Sequence, residues 1–156
     1  CAAGLCIAQF AVLNYSPWWL IPTPEQAVSD REFAELLRAT PGEVFMPFKG
    51  NLPEIAGKTS YANGVSTWDL SRGTDAALSD KLFGDIRAAF ARGDFSVVVL
   101  STRFVYLYGI NEAANYVKLP VLIVPPELHV YPSNVYCRSD LVDTIAQWQS
   151  ALGTRH

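Results

Sequence analysis

Histidine and cysteine are scarce in this chain of 156 residues, and their scarcity excludes several kinds of site. The only histidines are His129 and His156, and the three cysteines, Cys1, Cys6 and Cys137, form no CxxC or CxxH spacing. The sequence therefore predicts neither a zinc site nor a disulfide framework. We expect the cysteines to be small apolar fillers, and we predict no metal site.

The sequence also lacks the motifs that carry familiar chemistry. It contains no GxGxxG, no GxxxxGK[ST], no GxSxG and no DxD, and the glycines Gly50, Gly57 and Gly64 are spaced by seven residues. A phosphate cradle needs tightly spaced glycines that open a helix after a strand, and a Ser/His/Asp triad has few histidines to choose from. We therefore predict no catalytic residue and no cofactor.

Clustered positive charge is absent as well. The formal net charge is -3 at pH 7, and the charged residues are scattered along the chain. A nucleic-acid surface needs clustered Lys and Arg, so we expect no nucleic-acid partner. Half of the residues are hydrophobic, which is enough for one domain with a buried core.

The first 22 residues differ in character from the rest. Residues 1–13 carry no charge, Tyr15, Trp18 and Trp19 follow them, and the first basic residue is Arg31. This pattern predicts the end of a transmembrane helix and an aromatic interface segment, with its flank outside the cytoplasm. Because the chain starts with Cys1 and not Met, we expect a processed product or a fragment. Two alternatives are an N-terminal helix packed on the domain and a lipoprotein with a lipidated Cys1.

Residues 23–156 have the pattern of one soluble α/β domain. Strands alternate with helices, which predicts a small, mostly parallel sheet of three to four strands flanked by helices, similar to half of a Rossmann fold. We predict helices at 23–39, 52–56, 75–92 and 139–152, strands at 43–46, 95–101 and 121–124, a short edge strand within 127–138, and a possible helix at 112–117.

The segment from Glu43 to Leu70 is the candidate functional loop, because it leaves a strand and is rich in Gly, Pro, Asn and aromatic residues. Its candidate ligand-binding side chains are Lys49 as a charge partner, Asn63 as an amide reader, and Tyr61, Trp68 and Asp69 as aromatic planes beside an acceptor. Such groups suit a sugar ring. The alternative is that Tyr61 and Trp68 pack the loop onto the domain and that Asp69 caps a turn.

Several short motifs resemble a known family. Pro41-Gly42, Pro47, Ala56-Gly57-Lys58 and Asp69 follow the apolar start in an order that resembles the C-terminal extracytoplasmic region of bacterial GT-C-type membrane glycosyltransferases, which are protein mannosyltransferase-like and use polyprenyl-phosphate sugars. The resemblance covers about residues 1–100. Asn63 stands in the loop where the family pattern has His.

This resemblance implies an accessory, non-catalytic domain that recognises an acceptor or closes the active site. It places the parent protein in the bacterial inner membrane, with this domain on the periplasmic side and residues 1–22 in contact with the membrane. The implied ligands are a glycan, a lipid-linked sugar or an acceptor. The family's catalytic carboxylates lie in an N-terminal loop outside this chain, so no catalytic residue carries over.

Two other functions remain open. One is a stand-alone Rossmann-like enzyme or binding domain for a nucleotide or sugar phosphate, with its ligand at the carboxyl ends of strands one and two near Lys49, Ser101, Thr102 and Arg103. The other is a scaffold for partner subunits, which predicts an exposed apolar patch.

Overall fold

A computed structural model describes residues 23–120 and 133–153 of the chain. The expectations for residues 1–22 and for a strand at 121–124 lie outside these residues. Across the described ranges, none of the helices combines the length and the apolar character needed to cross a bilayer.

Helices occupy about the positions that the sequence predicts, with two additions. The helices are α1 (Pro24–Ala39), α2 (Asn51–Ile55), α3 (Gly64–Ser71), α4 (Ala76–Arg92), α5 (Thr102–Tyr108) and α6 (Val142–Gly153). α4 begins where the Asp75 carboxylate accepts a hydrogen bond from the Leu78 amide at 2.9 Å, and it ends at Gly93 in a left-handed conformation. These are the usual start and stop signals of a helix.

The four described strands form one sheet in the order β1-β2-β4-β3, where the strands are β1 (Glu43–Phe45), β2 (Phe95–Ser101), β3 (Tyr116–Lys118) and β4 (Ser133–Arg138). β1 pairs with β2 in parallel, whereas β4 runs antiparallel to both β2 and β3. The α/β class is confirmed, but the prediction of a mostly parallel sheet is wrong because the sheet is mixed.

β4 is the reason for this difference. The crossover from β2 through α5 leaves β3 one strand away from β2, and β4 fills the gap in the opposite direction. β4 is therefore an interior strand and not the predicted edge strand. The expectation of a helix at 112–117 is also wrong, since Ile110–Glu112 is a 3₁₀ turn and β3 follows it.

Helices cover both faces of the sheet, as expected for a strand such as β2 that is buried along its whole length. On one face, α1, α2 and α6 pack on the sheet through Phe33, Leu36, Leu37, Leu52, Ala56 and Ile145. On the other face, α4 and α5 supply an aromatic cluster that includes Phe83, Phe90, Phe104 and Tyr108. The predicted apolar filler Cys137 is free and fully buried in the first cluster.

Candidate functional site

A pocket of about 400 Å³ lies beside β1 and is the candidate binding site. It forms within the segment that the sequence indicates, and Phe48, Glu54, Ser60, Tyr61, Asn63 and Val65 are among its lining residues. Its walls are mixed: aromatic and aliphatic surface alternates with a carboxylate, a hydroxyl and an amide. Small-ligand sites commonly have this size.

Two hydrogen bonds hold the pocket segment along β1. The Thr59 amide donates to the Glu43 carboxylate at 3.3 Å, and the Gly64 amide donates to the Pro47 carbonyl at 2.8 Å. Residues 59–64 thus follow β1 from its beginning to the residues just after its end. This part of the predicted loop is positioned by the sheet and not by its own side chains alone.

Tyr61 is the most prominent aromatic group of the pocket. The residue is 49% exposed, yet its ring packs edge-on against Phe95, with 5.1 Å between the ring centroids. An aromatic ring anchored on one side and open on the other loses little conformational freedom when a ligand stacks on it. The position of Tyr61 therefore suits a binding platform.

Asn63 has a structural function that the sequence analysis missed. Its side-chain oxygen accepts hydrogen bonds from the amides of Val65 at 3.0 Å and Ser66 at 3.1 Å, so Asn63 is the N-cap of α3. Within the described part of the chain its Nδ2 group makes no hydrogen bond, and Asn63 is one of the pocket's lining residues.

Gly64 fits closely under the aromatic wall of the pocket. A Cβ atom at this position would overlap the ring of Phe48. Phe48 in turn packs on Phe104 with 4.2 Å between the ring centroids. The absence of a side chain at Gly64 is therefore what allows Phe48 to lie between the pocket and the aromatic core.

The other three predicted ligand-binding residues do not line the pocket. The Lys49 ammonium is 3.2 Å from the Asp30 carboxylate, so it already has a charge partner. Trp68 and Asp69 lie on α3, where the Arg103 guanidinium stands over the Trp68 ring at 4.4 Å and Asp69 is exposed. The structure thus places Tyr61 and Asn63 at the pocket, whereas Lys49, Trp68 and Asp69 do not line it.

Some of the motif residues on which the family resemblance rests hold the chain in place just before the pocket segment. Lys58 donates from its ammonium group to the carbonyls of Thr40 at 2.7 Å and Gly42 at 2.8 Å. Gly42 and Gly57 both have positive φ, 78° and 74°, and a Cβ on Gly42 would lie 2.5 Å from the Ser96 hydroxyl oxygen. Turns of this kind favour glycine.

The alternative site at the carboxyl ends of β1 and β2 has a different character. Ser101 is buried, and its hydroxyl has no hydrogen-bond partner in the described structure, whereas Thr102 and Arg103 are exposed. Asn134 donates to the Thr102 hydroxyl at 3.2 Å. None of these residues lines the pocket beside β1.

Burial raises the pKa of ionisable groups in both core clusters. Burial raises the pKa of Tyr108, whose hydroxyl shares a 2.6 Å hydrogen bond with Thr67. Burial also raises the pKa of the Cys137 thiol to about 11. Groups with such pKa values do not exchange protons near neutral pH. No group of three potential metal ligands occurs among residues 23–120 and 133–153.

Sequence reasoning missed α3 and the pocket residues Phe48, Glu54 and Ser60. The signal for α3 was present, because Asn63 stands directly before a run of residues that can be helical. No comparable signal marks Glu54 or Ser60, since each is one of many exposed polar residues and only the path of the chain brings them together.

Comparison of the chain with protein-family models, with curated proteins and with solved structures finds no match.

Proposed function

We propose that this chain is an accessory recognition domain of a membrane glycosyltransferase that uses polyprenyl-phosphate sugars, and that the pocket beside β1 binds a neutral sugar ring. The pocket is the observation that carries the proposal. It combines the half-exposed Tyr61 ring with polar groups of Glu54, Ser60 and Asn63 at its wall.

The chemistry of a sugar ring matches these walls. One face of a pyranose presents C–H groups, which pack favourably on an aromatic ring such as that of Tyr61. The hydroxyl groups at the ring edge need donors and acceptors, and the Glu54 carboxylate, the Ser60 hydroxyl and the Asn63 amide offer both. Lys49 is paired with Asp30 and does not line the pocket, so among the described residues no cation at the pocket selects for an anionic sugar.

The motif residues support the proposal that this chain is an accessory recognition domain. In this structure Lys58 fastens the chain after α2 to the Pro41-Gly42 turn, and the segment that follows Lys58 forms the pocket. Three of the four short motifs that resemble the GT-C family, Pro41-Gly42, Pro47 and Ala56-Gly57-Lys58, thus help to position the pocket segment, whereas Asp69 does not. Acceptor recognition or active-site closure is the function that we assign to it.

Titration of the full chain with neutral hexoses tests the pocket. The chain would be kept in a polyoxyethylene detergent, which carries neither sugar nor phosphate, and the backbone amide signals would be followed by NMR. We expect saturable shifts that concentrate in residues 59–65. Shifts that are absent, or that spread evenly over the domain, would contradict the proposal.

Membrane attachment needs a separate experiment. In the natural protein, including any sequence that precedes Cys1, a reporter enzyme that is active only outside the cytoplasm would be fused after this domain, and cells would be fractionated. The proposal predicts reporter activity in the membrane fraction. A soluble, cytoplasmic fusion protein would instead favour a stand-alone ligand-binding domain.

A further inference from the structure

Two arginines converge on one tryptophan at a surface that is separate from the pocket. The guanidinium carbon of Arg103 lies 4.4 Å from the centre of the Trp68 ring, and that of Arg72 lies 5.8 Å from it. Both arginines are exposed, and Arg72 is the residue that ends α3. From this geometry we infer that Arg72 and Arg103 bind the phosphate group of an anionic ligand.

The first reason is that, among the residues that the structure describes, neither guanidinium forms an ion pair. The ion pairs within residues 23–120 and 133–153 join Lys49 to Asp30, Lys81 to Asp85, Arg92 to Asp94 and Arg138 to Asp140. Asp69 is close in sequence to Arg72, but the contact between them is a backbone hydrogen bond of 3.1 Å. Two cations on the same indole ring, without a carboxylate partner among the described residues, create a local positive field on a chain of net charge -3.

The second reason is that Trp68 orients Arg103 closely, while Arg72 lies near the outer limit of about 6 Å for a cation–π contact with the same ring. Stacking on an indole fixes the plane of a guanidinium while leaving its N–H groups free to donate. Trp68 is itself fixed, because it packs edge-on against Phe104 with 5.6 Å between the ring centroids. Preorganised forks of N–H donors are the groups that bind phosphate oxygens in pairs.

This inference does not depend on the sugar pocket. Neither arginine lines the pocket, although Phe48 of the pocket wall packs on the same Phe104 ring that supports Trp68. A phosphate ester in solution and the headgroup of an anionic lipid offer the same chemistry to the arginines, and the two sources differ only in what carries the phosphate.

The test is an NMR titration of the full chain in polyoxyethylene detergent at constant ionic strength. One arm adds inorganic phosphate, and another adds a short-chain phosphatidylglycerol below its micelle concentration, with sodium chloride as the reference anion. The Nε–Hε signals of Arg72 and Arg103 are followed. We expect saturable shifts of both signals with at least one of the two phosphate probes and not with chloride.

Two variants of equal charge separate binding from general electrostatics. Arg72→Gln/Arg103→Gln removes the two arginines at Trp68, and Arg31→Gln/Lys118→Gln removes two exposed cations elsewhere in the domain. The first variant should weaken phosphate binding about tenfold or more, since charge-assisted hydrogen bonds are lost. The second should bind as the parent chain does. Circular dichroism would show that both variants are folded.

The outcomes are distinct. Saturation by inorganic phosphate assigns the site to a soluble phosphate ester, and saturation by phosphatidylglycerol alone assigns it to a lipid headgroup. If neither probe shifts the arginine signals, or if the two variants lose affinity equally, the arginines serve only to pack on Trp68 and the inference is overturned. Sugar binding in the pocket is measured at other signals and is unaffected by either result.

Discussion

The Lys58 ammonium donates a hydrogen bond of 2.8 Å to the carbonyl oxygen of Gly42 and thereby joins the end of the α2 turn to the start of β1. It also donates to the buried Thr40 at 2.7 Å. The residues that precede the pocket segment are thus tied to the sheet by a side chain. These two hydrogen bonds are a structural reason for the lysine in the Ala56-Gly57-Lys58 motif.

Replacement of Lys58 by Met should lower the free energy of unfolding by about 1–2 kcal/mol, because two carbonyls lose a charged donor. Urea unfolding followed by circular dichroism measures this change. Lys81→Met is the matched control, since Lys81 is an exposed lysine on α4 that pairs with the exposed Asp85. The midpoint of this variant should stay unchanged. Equal midpoints for the two variants would show that the Lys58 bonds contribute nothing.

Two glycines should respond to alanine in opposite directions. A Cβ at Gly64 overlaps the Phe48 ring, so Gly64→Ala should displace Phe48, destabilise the domain and disturb the pocket. A Cβ at Gly84, inside α4, meets nothing within 4 Å. Gly84→Ala should therefore stabilise the protein by up to about 1 kcal/mol. Thermal melts of both variants measure the change in melting temperature. A change of the same sign in both variants would contradict the packing described at Phe48.

The buried hydrogen bond between Thr67 and Tyr108 predicts that removing either hydroxyl group lowers the free energy of unfolding by a different amount. Thr67 also donates from its hydroxyl to the backbone of α3 at 3.1 Å, so Thr67→Val should cost about 1–3 kcal/mol and leave the Tyr108 hydroxyl without a partner. Tyr108→Phe should cost only about 1 kcal/mol. A double-mutant cycle in urea should reveal their coupling. Additive effects would mean that the two hydroxyls do not interact.

The protein should lose stability in alkaline solution because of Cys137. The folded pKa is raised from 9.0 to about 11 by burial. A raised pKa contributes stability that is present below pH 9 and is lost as the pH rises from 9 towards 11. Unfolding in urea under reducing conditions should therefore show a fall of about 1 kcal/mol between pH 8 and pH 10. Cys137→Ala should remove most of this fall; an unchanged slope would assign it to other groups.

Much of the fold follows from sequence patterns because the strongest patterns are local. The boundaries of α1 and α4 follow from Pro24, Asp75 and Gly93, and β2 follows from an uninterrupted run of β-branched and apolar residues. Each of these signals depends on neighbours in the chain and needs no knowledge of the tertiary structure.

The direction and order of the strands do not follow in this way. β4 pairs Val135 with Val99 across 36 positions of the chain, and nothing in its own six residues states whether it runs parallel or antiparallel.

The pocket also depends on contacts between residues that are apart in the chain, so its full lining does not follow from the sequence. Tyr61 and Asn63 were predicted from their types, but Glu54 reaches the same pocket only through the turn at Gly57.

The affinity of the full chain for a neutral hexose, compared between two tyrosine variants, tests the central proposal most directly. Tyr61→Ala removes the pocket platform, and Tyr106→Ala removes a tyrosine that is 79% exposed and does not line the pocket. If the pocket beside β1 binds a sugar ring, Tyr61→Ala weakens binding about tenfold or more, since a stacked aromatic contact is lost, and Tyr106→Ala leaves it unchanged. Equal affinity of both variants and the parent chain, or no binding by any of them, would contradict the account.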